Sequence, residues 1–133
     1  MSTRQASCSC GKVRVTCEGE PVRLSMCHCL ACQRRTGSVF GVQARFPREL
    51  VTIEGETKAF SRIAESGNTI TYGFCPGCGS TMFWTGPGFP DLIAVAVGAF
   101  ADPKFPPPRH SVYERTQHSW ARTPDDPDME HLE

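Results

Sequence analysis

From Lys12 to Cys17 the chain alternates strictly. Val13, Val15 and Cys17 fall on one side and Lys12, Arg14 and Thr16 on the other, which is the period of a half-buried strand. Val22, Leu24 and Met26 repeat the pattern in a second strand that runs directly into Cys27. Further strands are predicted over Ser38 to Phe46, stopped by Pro47, and over Leu50 to Ile53 and Thr57 to Arg62. Thr69 to Phe74 alternates with Ile70, Tyr72 and Phe74 on one face, and Thr81 to Thr85 follows it after a cysteine knuckle. Leu92 to Val97 is a continuous apolar run, suited to a strand covered on both faces. Only Leu30 to Thr36 reads as helix, one or two turns closed by Gly37 as a left-handed cap. Pro103, Pro106, Pro107 and Pro108 then fix an extended segment, and Ser111 to Trp120 predicts one edge strand. Short strands, frequent turns and almost no helical period predict a mainly β fold, one domain over residues 6–120 with little helix. Residues 121–133 are acidic and aperiodic and read as a poorly ordered tail.

Charge narrows the function classes. Fourteen basic and fourteen acidic side chains give a formal net charge of zero, so nothing in the chain calls for a nucleic acid. No run is long enough to span a membrane, and Met1 to Ala6 lacks the apolar segment of a signal peptide. The expected location is the cytoplasm, where thiols stay reduced. That matters because the chain holds eight cysteines. In an exported protein they would suggest four disulfides, but here they cluster as close pairs and a triplet, the spacing of metal ligands.

Cys8 and Cys10 lie two apart on an extended segment, so their side chains share a side. Cys75 and Cys78 form a C-x-x-C knuckle in which Pro76 and Gly77 make the turn. Together the two pairs supply four thiolates, enough to close a structural zinc site that staples the strands between them. Cys27, Cys29 and Cys32 remain as a set of three. Three protein ligands with one position free is the arrangement of a catalytic zinc, so these thiolates are the candidate catalytic group. A fourth side chain would instead close the site. His28 is nearest in sequence but points away from its neighbours in an extended backbone, and His110 and His118 stay open. Cys17 continues the apolar face of Val13 and Val15 and reads as core. Arg34, Arg35, Gly37 and Ser38 form a basic turn after the triplet, either an anion-binding corner for substrate or a solvated turn. Phe83, Trp84, Phe89 and Trp120 are candidates for an apolar pocket wall, or simply for core.

The residues Ser7 to Arg14, Cys27-His28-Cys29-x-x-Cys32-Gln33-Arg34-x-Thr36-Gly37-Ser38, Ser66-Gly67 and Phe74-Cys75-Pro76-x-Cys78-Gly79-Ser80 together resemble the glutathione-dependent formaldehyde-activating enzymes, the CENP-V/GFA domain family. The resemblance covers roughly Ala6 to Trp120 and every cysteine of the pattern is present. It implies a zinc-stapled complex β fold of the Mss4-like type and two zinc ions per chain. One would sit on Cys8, Cys10, Cys75 and Cys78, the other on Cys27, Cys29 and Cys32. The implied activity is a carbon–sulfur lyase reaction between a small thiol such as glutathione and formaldehyde or another small aldehyde. The alternative is a zinc-stapled module that binds a protein partner, since a fold does not fix a function. Exposed edge strands also make a homodimer a reasonable expectation.

Overall fold

The structure, a computed structural model, describes residues 2–133. The eleven strands form two sheets. The smaller has the order β1-β2-β5, from Thr3–Ser7, Arg14–Glu18 and Val51–Glu54. The larger contains β3 (Arg23–Cys27), β4 (Gly41–Pro47), β6 (Lys58–Ile63), β7 (Thr69–Phe74), β8 (Thr81–Thr85), β9 (Leu92–Ala96), β10 (His110–Val112) and β11 (Glu130–His131). Its order is β11-β10-β3-β4-β9-β8-β7-β6. Among the described residues there is one α-helix, α1, over Leu30–Thr36. The fold is mainly β, as the alternation of the sequence requires.

Alternation also decides which face of the large sheet does what. Val13, Val15, Cys17 and Ala6 meet Leu24, Ala44, Phe46, Ile93 and Val95 in one core between the two sheets, with Phe100 packed against it. Cys17 is fully buried there, and burial pushes its thiol up to about 12, as suits an inert core residue. Residues directly opposite across a sheet share a face. The pairs Cys27–Gly41, Ser25–Gln43 and Arg23–Arg45 therefore lie on the other side of the sheet, together with Ala94 and Ala96 on β9 and Trp84 on β8. Ile70, Tyr72, Trp84, Phe89 and Ala94 form a second, smaller cluster on this face. It is the face that carries the site.

Three stretches differ from their sequence reading. Thr3–Ser7 forms β1 although only Ala6 among its five residues is fully buried; pairing with β2 makes the strand, not apolar content. The predicted edge strand near Ser111 is shorter and internal. β10 runs parallel to β3 on one side and β11 on the other, and the chain then leaves into a short 3-10 turn at Glu114–Thr116. The tail, read as poorly ordered, returns to the sheet. Leu132 donates its N–H to the Ser111 carbonyl at 2.7 Å, Met129 is buried, and His131 Nδ1 lies 2.7 Å from the Glu114 carboxylate. Backbone pairing and one buried methionine dock a segment whose composition alone carries no period. Among the described residues no helix is long and apolar enough to cross a membrane.

Gly55 turns the chain after β5 with φ +100°, and a Cβ there would overlap the Lys12 carbonyl oxygen. Gly55→Ala is expected to destabilise the fold by about 3 kcal/mol, strain and overlap combined. A denaturant melt that moves by less than about 1 kcal/mol would contradict this.

Candidate functional site

Two cysteine clusters stand out, and each is built by strand ends. Cys8 and Cys10 follow β1, and Cys75 and Cys78 lie in the connection from β7 to β8. Their four sulfurs lie within 4.8 Å of one another, with Cys8–Cys10 at 3.7 Å and Cys10–Cys75 at 3.6 Å. The cluster therefore joins the small sheet to the large one. Backbone and hydroxyl donors favour charged sulfur there. Val13 N–H points at Cys8 Sγ at 3.2 Å, and the Ser80 hydroxyl lies 3.3 Å from Cys78 Sγ and helps hold its thiol down to about 5.

The second cluster comprises Cys27 at the end of β3, Cys29 before α1 and Cys32 in its first turn. All three are buried. Cys29 is the N-cap of α1, its Sγ accepting the Cys32 N–H at 3.3 Å, while Gly37 closes the other end with φ 74°. The neighbouring Cys27 and Cys32 side chains hydrogen-bond to Cys29 and hold its thiol well below the usual thiol range. The same bonds push Cys27 up.

Among the described residues no histidine, carboxylate or further cysteine joins this cluster. His28 is fully buried on the far side, as the extended backbone predicts, with Nε2 2.9 Å from Ser111 Oγ. Burial pushes its imidazole toward the neutral form. His118 donates to Gln33 Oε1 at 3.0 Å, and His110 faces Glu130. Gln33 in turn donates to the carbonyls of His28 and Thr116, tying α1 to the segment after β10.

The triplet opens into a cavity of about 260 Å³ on the free face of the large sheet. Gln43 and Arg45 from β4, Arg62 from β6, Tyr72 from β7 and Trp84 from β8 line it, with Phe89, Asn68 and Tyr113 from the loops. Arg62 Nε donates to the Tyr72 hydroxyl at 2.9 Å. Burial raises the Tyr72 phenol, which stays protonated. Arg45 lies over the Phe89 ring at 4.1 Å, and its buried Nε has no acceptor. The one acid in the lining, Glu65, is paired with Arg115. The cavity therefore sets two arginines around a floor of three cysteines.

The residues of the predicted substrate corner lie beside this cavity, Arg34 and Arg35 in an adjoining groove that shares Ala31, Arg62 and Tyr72 with it. None of Arg34, Arg35, Gly37 and Ser38 lines the cavity. Arg35 packs against the Trp84 ring, its guanidinium carbon 4.3 Å from the ring centre and its Nε buried. Arg34 shares a shallow groove with Phe60 and Arg62. Gly37 caps the helix, and the Ser38 N–H is taken by Thr36 Oγ1 at 3.0 Å. Of the four aromatics, Trp84 and Phe89 wall the cavity; Phe83 packs over Gly73, where a Cβ would overlap its ring, and Trp120 is exposed. Sequence reading missed Gln43, Arg45, Arg62 and Tyr72. Gln43 and Arg45 alternate with Val42, Ala44 and Phe46 as an ordinary solvent face would, so the strand itself gives no signal.

The family described as glutathione-dependent formaldehyde-activating enzyme matches residues 3–116. No curated protein matches the chain. Among solved structures, a Rhodobacter sphaeroides structural-genomics protein superposes with a TM-score of 0.57 at 18% identity, covering 77% of this chain and 91% of that one. At that identity the likeness concerns the fold alone.

Proposed function

Because the chain belongs to the glutathione-dependent formaldehyde-activating enzyme family, we propose that its cavity joins a small thiol of the glutathione type to formaldehyde or another small aldehyde, and reverses the reaction. The product is an S-hydroxyalkyl thiol, which makes the enzyme a carbon–sulfur lyase in the reverse direction. The observation that carries this reading is the cysteine triplet at the floor of a cavity with two arginines around it, with no fourth protein ligand among the described residues.

Zinc fits both clusters. A tetrahedral ion with Zn–S bonds of about 2.3 Å sets its sulfurs about 3.8 Å apart. The 3.6 and 3.7 Å separations in the four-cysteine group match that spacing. All sulfurs of the triplet also lie within 4.8 Å of one another, and an all-thiolate donor set suits zinc. We assign a structural ion to Cys8, Cys10, Cys75 and Cys78 and the reactive one to Cys27, Cys29 and Cys32. Zinc at the triplet would lower the pKa of a thiol entering the free position. Ligand thiols of this kind persist in a reducing compartment, and we place the enzyme in the cytoplasm.

The residues around the triplet support the remaining chemistry. The substrate sulfur, as thiolate, attacks the aldehyde carbon; the C–S bond forms as the C=O π pair moves onto oxygen. Tyr72 receives a hydrogen bond from Arg62 and keeps its own O–H proton to donate to that oxygen. Arg62 stabilises the negative charge that develops there, within reach of the same wall. Solvent takes the proton lost by the thiol and restores that of Tyr72, so the addition is balanced. Trp84 and Phe89 limit water at the reacting carbon, and Arg35, packed against Trp84, holds it as a positioning residue.

The test is exchange NMR with glutathione and ¹³C-formaldehyde on zinc-loaded protein. Adduct formation is expected at least about tenfold above the spontaneous rate, since one positioned acid alone contributes about 10²–10⁴. A rate equal to the protein-free control would sink the reading and leave the stapled partner-binding module in its place.

A further inference from the structure

Arg45 is the group the addition chemistry leaves unused. It stands on β4 directly opposite Arg23 on β3, two like charges on one face of the sheet. Such a pair is destabilising. No carboxylate lies within ion-pair distance of Arg45 among the described residues. Its Nε is buried without an acceptor, and its guanidinium carbon lies 4.1 Å over the centre of the Phe89 ring in the cavity wall. An uncompensated, part-buried cation with a free donor costs stability, and an anion brought by a ligand would offset that cost. A planar guanidinium stacked on an aromatic ring is already fixed for two-point binding of a carboxylate.

The sheet register says how far that carboxylate must be from the reacting sulfur. Arg45 is level with Arg23, and Cys27 lies four residues further along β3, level with Gly41. At about 3.3 Å per residue the two ends of the cavity are about 13 Å apart along the strands. The arginine side chain can lean over part of this, which leaves roughly 7–13 Å between sulfur and carboxylate. Two to three residues of extended peptide span about 7–11 Å. Gln43, between the two ends and lining the cavity, offers an amide partner on the way. A single amino-acid thiol with its own carboxylate is too short to reach.

We propose that Arg45, stacked on Phe89, is the specificity-determining residue of the cavity, anchoring a carboxylate and so selecting acidic thiols of peptide length over short or neutral ones. This rests on the reading of the cavity as a thiol site, yet it can be tested without any turnover.

The experiment is calorimetric titration of the zinc-loaded protein with three thioethers that cannot react. They are S-methylglutathione, its dimethyl ester, and S-methyl-N-acetylcysteine. Wild type is expected to bind S-methylglutathione at least tenfold more tightly than the diester. Arg45→Gln is expected to bring the two within twofold, and Arg45→Lys, which keeps the charge but loses the stacked fork, to leave a preference of about threefold. Affinity for the short S-methyl-N-acetylcysteine is expected to change less than twofold in either variant. An unchanged preference in both variants overturns the anchor, and an equal loss for the short acid overturns the length selection. Zinc content and a thermal melt of each variant separate these results from misfolding; should Arg45→Gln fail to fold, Arg45→Lys decides. Catalysis without Arg45 dependence would discard this inference and keep the enzyme. Arg45-dependent binding without catalysis would do the reverse.

Discussion

Cys75→Ser is expected to leave the chain without a cooperative native state at room temperature. Cys75 is almost fully buried, and its sulfur lies 3.6 Å from Cys10 at the junction of the two sheets. A domain of this size is stable by about 5–15 kcal/mol in total. Binding of zinc to a structural site contributes about 10–16 kcal/mol in small zinc peptides, so the site and the fold stand or fall together. Removing one ligand of four is expected to forfeit at least about 5 kcal/mol. At about 3–5 °C per kcal/mol for this chain length, a residual transition would fall by about 15–25 °C. The same collapse is expected when wild type is exposed to a strong chelator. Circular dichroism melts of both samples check it, and a variant that melts cooperatively within a few degrees of wild type would show that the staple is not what holds the sheets.

Cys29→Ser is expected to do the opposite, keeping the fold and losing the chemistry. Serine is among the best helix N-caps, and its hydroxyl can accept the Cys32 N–H that Cys29 Sγ accepts now. The cost to stability is therefore expected to stay within about 1 kcal/mol. What disappears is a thiolate ligand. Elemental analysis under reducing conditions is expected to give two zinc ions per chain for wild type and about one for the variant. Thiol–aldehyde turnover is expected to fall at least about 100-fold. Two retained ions, or turnover near the wild-type rate, would remove the triplet from the centre of the mechanism.

What the sequence made legible is what local spacing encodes. Cysteines two or three apart announce shared ligands whatever the strands around them do, and both clusters assemble from the pairs and triplet the sequence shows. The side to which His28 turns was legible for the same reason, through the period of an extended backbone. The cavity walls were not, because they depend on neighbours far apart in the chain. Arg45 meets Phe89 only because β4 pairs with β9 and the loop before β9 folds over it. Arg62, on β6, lines the same cavity as the cysteine triplet although β4, β9, β8 and β7 separate it from β3. Arg34 and Arg35 are near the triplet in sequence, but the helix carries them into the adjoining groove, where Arg35 packs against Trp84. The tail escaped notice because a two-residue strand made by backbone pairing leaves no apolar pattern.

The cavity has its ends on different parts of the chain. Thiolates come from the end of β3 and the start of α1, whereas Arg45 and Phe89 come from the far end of β4 and the loop before β9. Neither Arg45 nor Phe89 belongs to a cysteine cluster or to the core between the sheets. Replacements at these two positions are therefore expected to alter which molecules enter while leaving the two cysteine clusters and the core between the sheets in place. A scaffold divided in this way is evolvable: its recruitment of new thiols can drift by substitutions in the cavity wall, apart from the cysteine clusters.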